Sequence, residues 1–138
     1  MLTLGVFATG LLLGAMVFFA AIVAPVTFTA LDAPNAARHT RATFPRYYLY
    51  LAVLAGVAAL AALAVGRVPE AALMGAVAAS TVLLRQVLMP RLNAWRDAEL
   101  AGDAAAGKKF SQGHKASVAI NLAQMLVATL VLFLLANA

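Results

Sequence analysis

Charge is nearly absent from four stretches of this chain, about 2–24, 46–65, 69–89 and 114–136, and is crowded into the segments between them. Within each stretch Ala, Val, Leu, Ile, Phe and Met follow one another without the apolar–polar alternation of a half-buried strand. A helix rises about 1.5 Å per residue and the hydrocarbon core of a bilayer is about 30 Å thick, so about 20 apolar residues make one crossing. The pattern predicts an all-α, polytopic membrane protein. Its four transmembrane helices form an antiparallel bundle and a single domain over 1–138.

Local signals set the boundaries. Pro25 follows the first stretch, and the helix either ends there or continues kinked toward Thr29. No basic segment precedes this stretch and it is about twice as long as a secretory h-region, so it reads as a retained helix. Segment 30–46 holds Asp32, Arg38, His39, Arg41 and Arg46 with Pro34 and Pro45, and reads as a polar connection. Pro45 then suits the first turn of helix two, where a missing N–H is harmless. Helix two ends at Gly66, and the short link to Glu70 implies a tight hairpin. Helix three starts at Pro69 and Glu70, the acid complementing the helix dipole. The run Arg91–Ala106 has helix-forming composition and is expected to be a cytoplasmic juxtamembrane helix, weakened at its far end by Gly102 and Gly107.

Composition narrows the class. With 64% hydrophobic and 11% charged residues, the chain departs from soluble domains, in which charged residues make up about a quarter. There is no cysteine, which excludes disulfides, thiolate metal sites and thiol catalysis. The net charge of +5 flanks apolar spans, so it marks topology and contact with anionic lipid, and nucleic acid is not an expected partner. Arg38, Arg41, Arg46, Arg85, Arg91, Arg96, Lys108, Lys109 and Lys115 lie in or beside the first and third connections, against Arg67 alone in the second. The positive-inside rule places those two connections in the cytoplasm and both termini outside. Tyr47, Tyr48, Tyr50 and Trp95 fall on the same edge, as in an interfacial aromatic belt. Phe44, Tyr47, Tyr48, Trp95 and Phe110 are expected to gather there with Pro45 and Pro90 and to cover the inner mouth.

Small residues recur at i, i+4: Gly10 and Gly14, Ala52 and Gly56, and Ala71, Gly75 and Ala79. They read as close contacts within the bundle. A homo-oligomer is expected as well.

The candidate chemistry lies on helix four. At about 100° per residue, His114, Ser117, Asn121 and Gln124 share a stripe about 80° wide on an otherwise apolar helix. Polar groups are costly against lipid, so the stripe should face the bundle interior, either as interhelical hydrogen bonds or as the wall of a site. Arg85 or Asn93 would be its nearest polar partners on helix three. Arg85 itself either snorkels to the headgroups or turns inward to hold an anion. His39 and His114 are the two histidines and together could ligate a metal or haem iron. Met16, Met74, Met89 and Met125 read as packing. No carboxylate pair, Ser-His-Asp set, phosphate loop or zinc spacing is present, so a non-enzymatic role is expected.

Three blocks resemble the transmembrane protein 205 family of small four-helix membrane proteins. They are Ala24-Pro25-Val26-Thr27-Phe28 with Leu31, then Phe44-Pro45-Arg46-Tyr47-Tyr48, then Met89-Pro90-Arg91-Leu92-Asn93 and Arg96-Asp97 with Phe110, His114-Lys115-Ala116-Ser117 and Asn121-Leu122. Lys115 stands where the animal member has Gly, which points to a bacterial branch. The resemblance implies a four-helix fold. The animal member's link to platinum-drug resistance implies export or trafficking of a metal-containing solute.

The combined expectation is a membrane protein that handles or transports a small solute or metal-related species at its cytoplasmic face. Arg85, Asn93, His114, Ser117, Asn121 and Gln124 are the candidate ligand-binding residues, with His39 and His114 as candidate metal ligands. The cofactor is left open. The alternatives are a haem- or metal-linked redox subunit, or an assembly partner of a larger membrane complex.

Overall fold

A computed structural model describes residues 1–138 as four long helices without strands. These are α1 (Leu2–Ala30), α2 (Ala33–Leu63), α3 (Val68–Leu100) and α4 (Ala104–Ala136), each long and apolar enough to cross a membrane. Neighbours along the chain pack against each other and α4 closes back on α1, giving an antiparallel ring of four. Phe7, Leu60, Leu126 and Phe133 are among the large apolar side chains that face outward, as contact with a bilayer requires. The protein is an integral membrane protein.

The helices are longer than the predicted spans. Segment 30–46 is not a polar connection: α2 begins at Ala33 and runs unbroken for 31 residues, with Pro45 inside it. Asp32 supplies the start, its carboxylate accepting the Asn35 N–H at 3.1 Å, and Pro34 fits the first turn. Likewise α4 begins at Ala104 and not at His114, because Asp103 accepts the N–H groups of Ala105 and Ala106 at 3.0 and 3.1 Å. The juxtamembrane helix is present as Met89–Leu100 and is continuous with α3; the chain turns at 101–103, so its expected last turns belong to α4. A helix of 31 residues measures about 46 Å, some 15 Å more than a hydrocarbon core. The excess forms two helical hairpins at the basic end. Gly66 and Gly102, with φ of 75° and 105°, take the left-handed turn positions after α2 and α3 that a side chain would resist.

The packed core fills the other half of the bundle. One stripe per helix is buried: Ala8, Thr9, Leu12 and Met16 on α1; Tyr48, Leu51, Ala55, Ala58 and Ala62 on α2; Met74, Val77, Thr81 and Leu84 on α3; Gln124, Ala128, Val131 and Leu135 on α4. Spacings of three and four repeat along each stripe, the period of a helix–helix seam. Alanines on α2 let the backbones approach, as does Gly5, whose absent Cβ would lie 3.3 Å from Leu135. The glycines expected to do this do not. Nothing lies within 4 Å of a Cβ built at Gly10, Gly14, Gly56 or Gly75, so these face outward.

At the end away from the basic residues, Arg67 binds Glu70 at 2.7 Å and donates to the Leu134 carbonyl at 3.2 Å, tying α3 to α4. Glu70 is buried whereas Arg67 is partly exposed. Removing either partner is therefore not equivalent. Arg67→Ala leaves a buried carboxylate without its cation and should cost about 3 kcal/mol. Glu70→Ala leaves a guanidinium that still reaches water and the Leu134 carbonyl, and should cost about 1 kcal/mol. Denaturant unfolding in detergent micelles checks the order; Glu70→Ala proving the more damaging would contradict this account of the Arg67–Glu70 clamp.

Candidate functional site

Two proline sites shape the basic half. Pro25 and Pro90 each lack an N–H and crowd the carbonyl four residues back. In both helices the preceding five residues adopt π geometry, Phe19–Val23 in α1 and Leu84–Leu88 in α3. The residue before each proline donates five residues back, Ala24 to Phe19 and Met89 to Leu84. Wider turns of this kind clear the proline ring without leaving the local bonds unmade. Side chains supply further bonds: Thr27 donates to the Val23 carbonyl at 2.7 Å and Thr29 to the Pro25 carbonyl at 2.8 Å.

Packing is looser beyond these turns, where Thr27, Ala36, Ala106 and Gly113 are still buried within the two hairpins. No residue of Phe19–Val23 or of Met89–Leu100 is buried. The first turns of α1 pack on α4, but Ala24–Ala30 rests on α2 and parts from α4. Between the four helices lies a cavity of about 710 Å³. Met16, Tyr48, Leu84 and Met125 line it nearest the core, and Arg41, Arg96 and Phe110 line it toward the hairpin tips. Most of its lining is apolar.

The predicted site residues divide here. Asn93, His114, Ser117 and Asn121 line the cavity, as does His39. Ser117 is buried and donates to the His114 carbonyl at 2.8 Å. Asn121 donates to the Ser117 carbonyl at 3.0 Å and to the Tyr48 hydroxyl at 3.4 Å, across the diagonal of the bundle. Gln124 lies deeper, outside the cavity. Its amide nitrogen donates to Ser80 Oγ at 2.8 Å and Thr81 Oγ1 at 3.2 Å. Both hydroxyls already donate to the Val77 carbonyl, so the amide must donate to them. The partners of the stripe on α3 are therefore Ser80 and Thr81, in place of the expected Arg85 or Asn93. Arg85 stands apart from both: its Nε donates to the Pro45 carbonyl at 2.9 Å across the α2–α3 seam.

His39 lies near the hydroxyls of Thr27 and Thr43, at 3.3 and 3.4 Å, and His114 stacks on Phe110 with ring centroids 6.1 Å apart. No group of three or more His, Asp or Glu side chains is positioned to hold a metal ion. The expected single aromatic cluster is two. Phe44, Tyr47 and Tyr48 pack with Phe19, the closest centroids being Phe19 and Tyr47 at 4.5 Å. Phe110 lies beneath the Arg96 guanidinium at 5.3 Å, and Trp95 packs over Gly113, where a Cβ would come within 3.0 Å of its ring. The two groups stand on opposite walls.

Sequence reasoning missed Tyr48 as a cavity residue, although it starts the buried stripe Tyr48, Leu51, Ala55, Ala58 and Ala62. It also missed Arg41, whose guanidinium meets both carboxylate oxygens of Asp97 and bridges α2 to α3 above the cavity. Arg41 lies on the extension beyond the apolar span, and its hydrogen bonds hold the Asp97 carboxyl below the usual carboxylate range.

Residues 7–101, well over half of the chain, match the family described as "Domain of unknown function (DUF4149)", and the chain belongs to that family. The matched region contains most of α1, all of α2, the cavity wall on α3 and the Arg41–Asp97 bridge; α4 lies beyond it. No curated protein and no solved structure is detectably similar to the chain.

An exposed bidentate pair is worth up to about 1 kcal/mol, enough to bias two hairpins toward each other without locking them. Spin labels at Arg38→Cys and Leu100→Cys, both exposed positions in a cysteine-free chain, report that bias. Asp97→Ala should broaden their distance distribution, and the exchange Arg41→Asp with Asp97→Arg should narrow it again. An unchanged distribution in Asp97→Ala would show that the bridge does not hold the hairpins.

Proposed function

We propose that this protein binds a small, mainly apolar molecule in the cavity at its basic end and passes it between the membrane and the adjoining aqueous face. The observation that carries the reading is the cavity itself: about 710 Å³, lined by residues of all four helices, apolar over most of its wall, with a few polar side chains at fixed places. Ligand sites have this size and make-up. The charge bias supports a cytoplasmic inner-membrane placement with the cavity facing the cytoplasm and both termini outside. The resemblance to the transmembrane protein 205 family supports solute trafficking. Outward-facing Gly10 and Gly14, open at the Cβ position, suit close approach by a second copy in a homo-oligomer.

The metal-related and haem-linked readings rest on His39 and His114. Both line the cavity, but no third His, Asp or Glu joins them. An organic ligand fits the wall chemistry better. The site residues for it are Asn93, His114, Ser117 and Asn121, with Gln124 and Arg85 as structural neighbours.

Binding of a lipophilic fluorophore to the protein in phosphatidylcholine nanodiscs tests the proposal. Saturable binding at one site is expected, weakened at least tenfold by Ala20→Trp, which fills the cavity from an exposed position on α1. Partition no greater than into empty nanodiscs would overturn it.

A further inference from the structure

At the inner end of the cavity two hydrogen-bonding capacities are unused, one of each kind. Tyr48 is only 4% exposed and lines the cavity. Its hydroxyl accepts from Asn121 Nδ2 and makes no other hydrogen bond within the protein, so its proton has no acceptor. Asn121 lines the cavity beside it. The amide cannot turn over, because the Ser117 carbonyl at 3.0 Å can only accept and so requires the nitrogen. Asn121 Oδ1 is thereby left buried without a donor. An unpaired polar group in so apolar a place is costly, and the cost is relieved by a partner.

Charge around this pair limits the partner. The two arginines that line the cavity lie toward the hairpin tips and each faces a carboxylate, Arg41 that of Asp97 and Arg96 that of Glu99 at 2.7 Å. No acid lines the cavity. A carboxylate head beside Tyr48 would meet the bare Asn121 oxygen, and an ammonium head would leave the Tyr48 proton without an acceptor. A hydroxyl or a primary amide satisfies both groups at once.

The wall beside the pair is also open sideways. Phe19–Val23 of α1, level with Tyr48 through the stack of Phe19 on Tyr47, parts from α4. Val118 and Leu122, which line the cavity next to Ser117 and Asn121, are 45% and 56% exposed. An apolar chain can lie through this gap into lipid while its head stays inside.

We propose that Tyr48 and Asn121 form the head-group site for a neutral amphiphile bearing both a donor and an acceptor, an alcohol or primary amide on an apolar chain. The proposal rests on the reading of the cavity as a ligand chamber. Tyr48 donates to the head oxygen, Asn121 Oδ1 accepts from the head O–H or N–H, and the apolar body leaves between α1 and α4.

Displacement of the lipophilic fluorophore from the full chain in nanodiscs separates the two claims. The probes are 1-dodecanol, dodecanamide, dodecyl methyl ether, dodecanoate and dodecyltrimethylammonium. The alcohol and the amide should displace at concentrations at least tenfold lower than the other three. Tyr48→Phe and Asn121→Leu should each abolish that preference while the fluorophore still binds. Equal displacement by all five heads, displacement by none, or a preference that survives in both variants would overturn the head-group site and leave the ligand chamber standing. Absence of saturable fluorophore binding to the wild-type chain would overturn both.

Discussion

Inside a bilayer no water is available to the backbone, so every N–H and C=O must be bonded within the protein. Prolines break that condition, and this chain places one near the same level in three of its four helices. Pro25 and Pro90 are absorbed by π turns, whereas α2 runs on through Pro45 without one. Arg46 donates to the Ala42 carbonyl at 2.6 Å, and Arg85 to that of Pro45. The repair has a geometric consequence. Below the π turns the stripes interlock around Leu12, Leu51, Met74 and Val131; above them α1 parts from α4 and a cavity lies between the helices. The two hairpins repeat the device: a helix with a π turn and a proline, a short turn, then an aspartate that starts a second long helix.

The polar stripe of α4 serves two purposes that its period alone could not separate. Gln124 is held by two hydroxyls of α3 within the packed half, a bond that fixes how α3 and α4 face each other. One turn away, Asn121 lines the cavity; both amides leave a buried oxygen unclaimed, but only that of Asn121 belongs to a cavity residue. Depth along the helix relative to the π turns decides which role a residue takes.

Much of the fold was legible in the sequence. Uninterrupted apolar runs gave four crossings, and Gly66 marked the tight turn that its positive φ requires. The inward aim of Ser117, Asn121 and Gln124 followed from the cost of amides in lipid. The starts of α2 and α4 were not legible, because Asp32 and Asp103 cap them from segments that read as charged loops. The reach of α3 past Pro90 was hidden for a different reason: a π turn has no composition of its own. Arg85 was weighed against headgroups and anions, yet its partner is a main-chain carbonyl on another helix, and no side-chain pattern reports that. Tyr48 was assigned to the interface as an aromatic, although its place at the head of a buried stripe of alanines and Leu51 carried the better signal.

The central claim is that the proline-induced turns open the bundle at its basic end. The rate at which Ser117→Cys reacts with a small, charged methanethiosulfonate reagent in membranes measures it directly, with no background thiol. Ser117 is 7% exposed, on the cavity wall. The account expects a measurable rate in the native background and a fall of about tenfold when Pro25→Ala and Pro90→Ala restore donors and let the π turns tighten. A thiol that never reacts, or one whose rate ignores the two prolines, would contradict it.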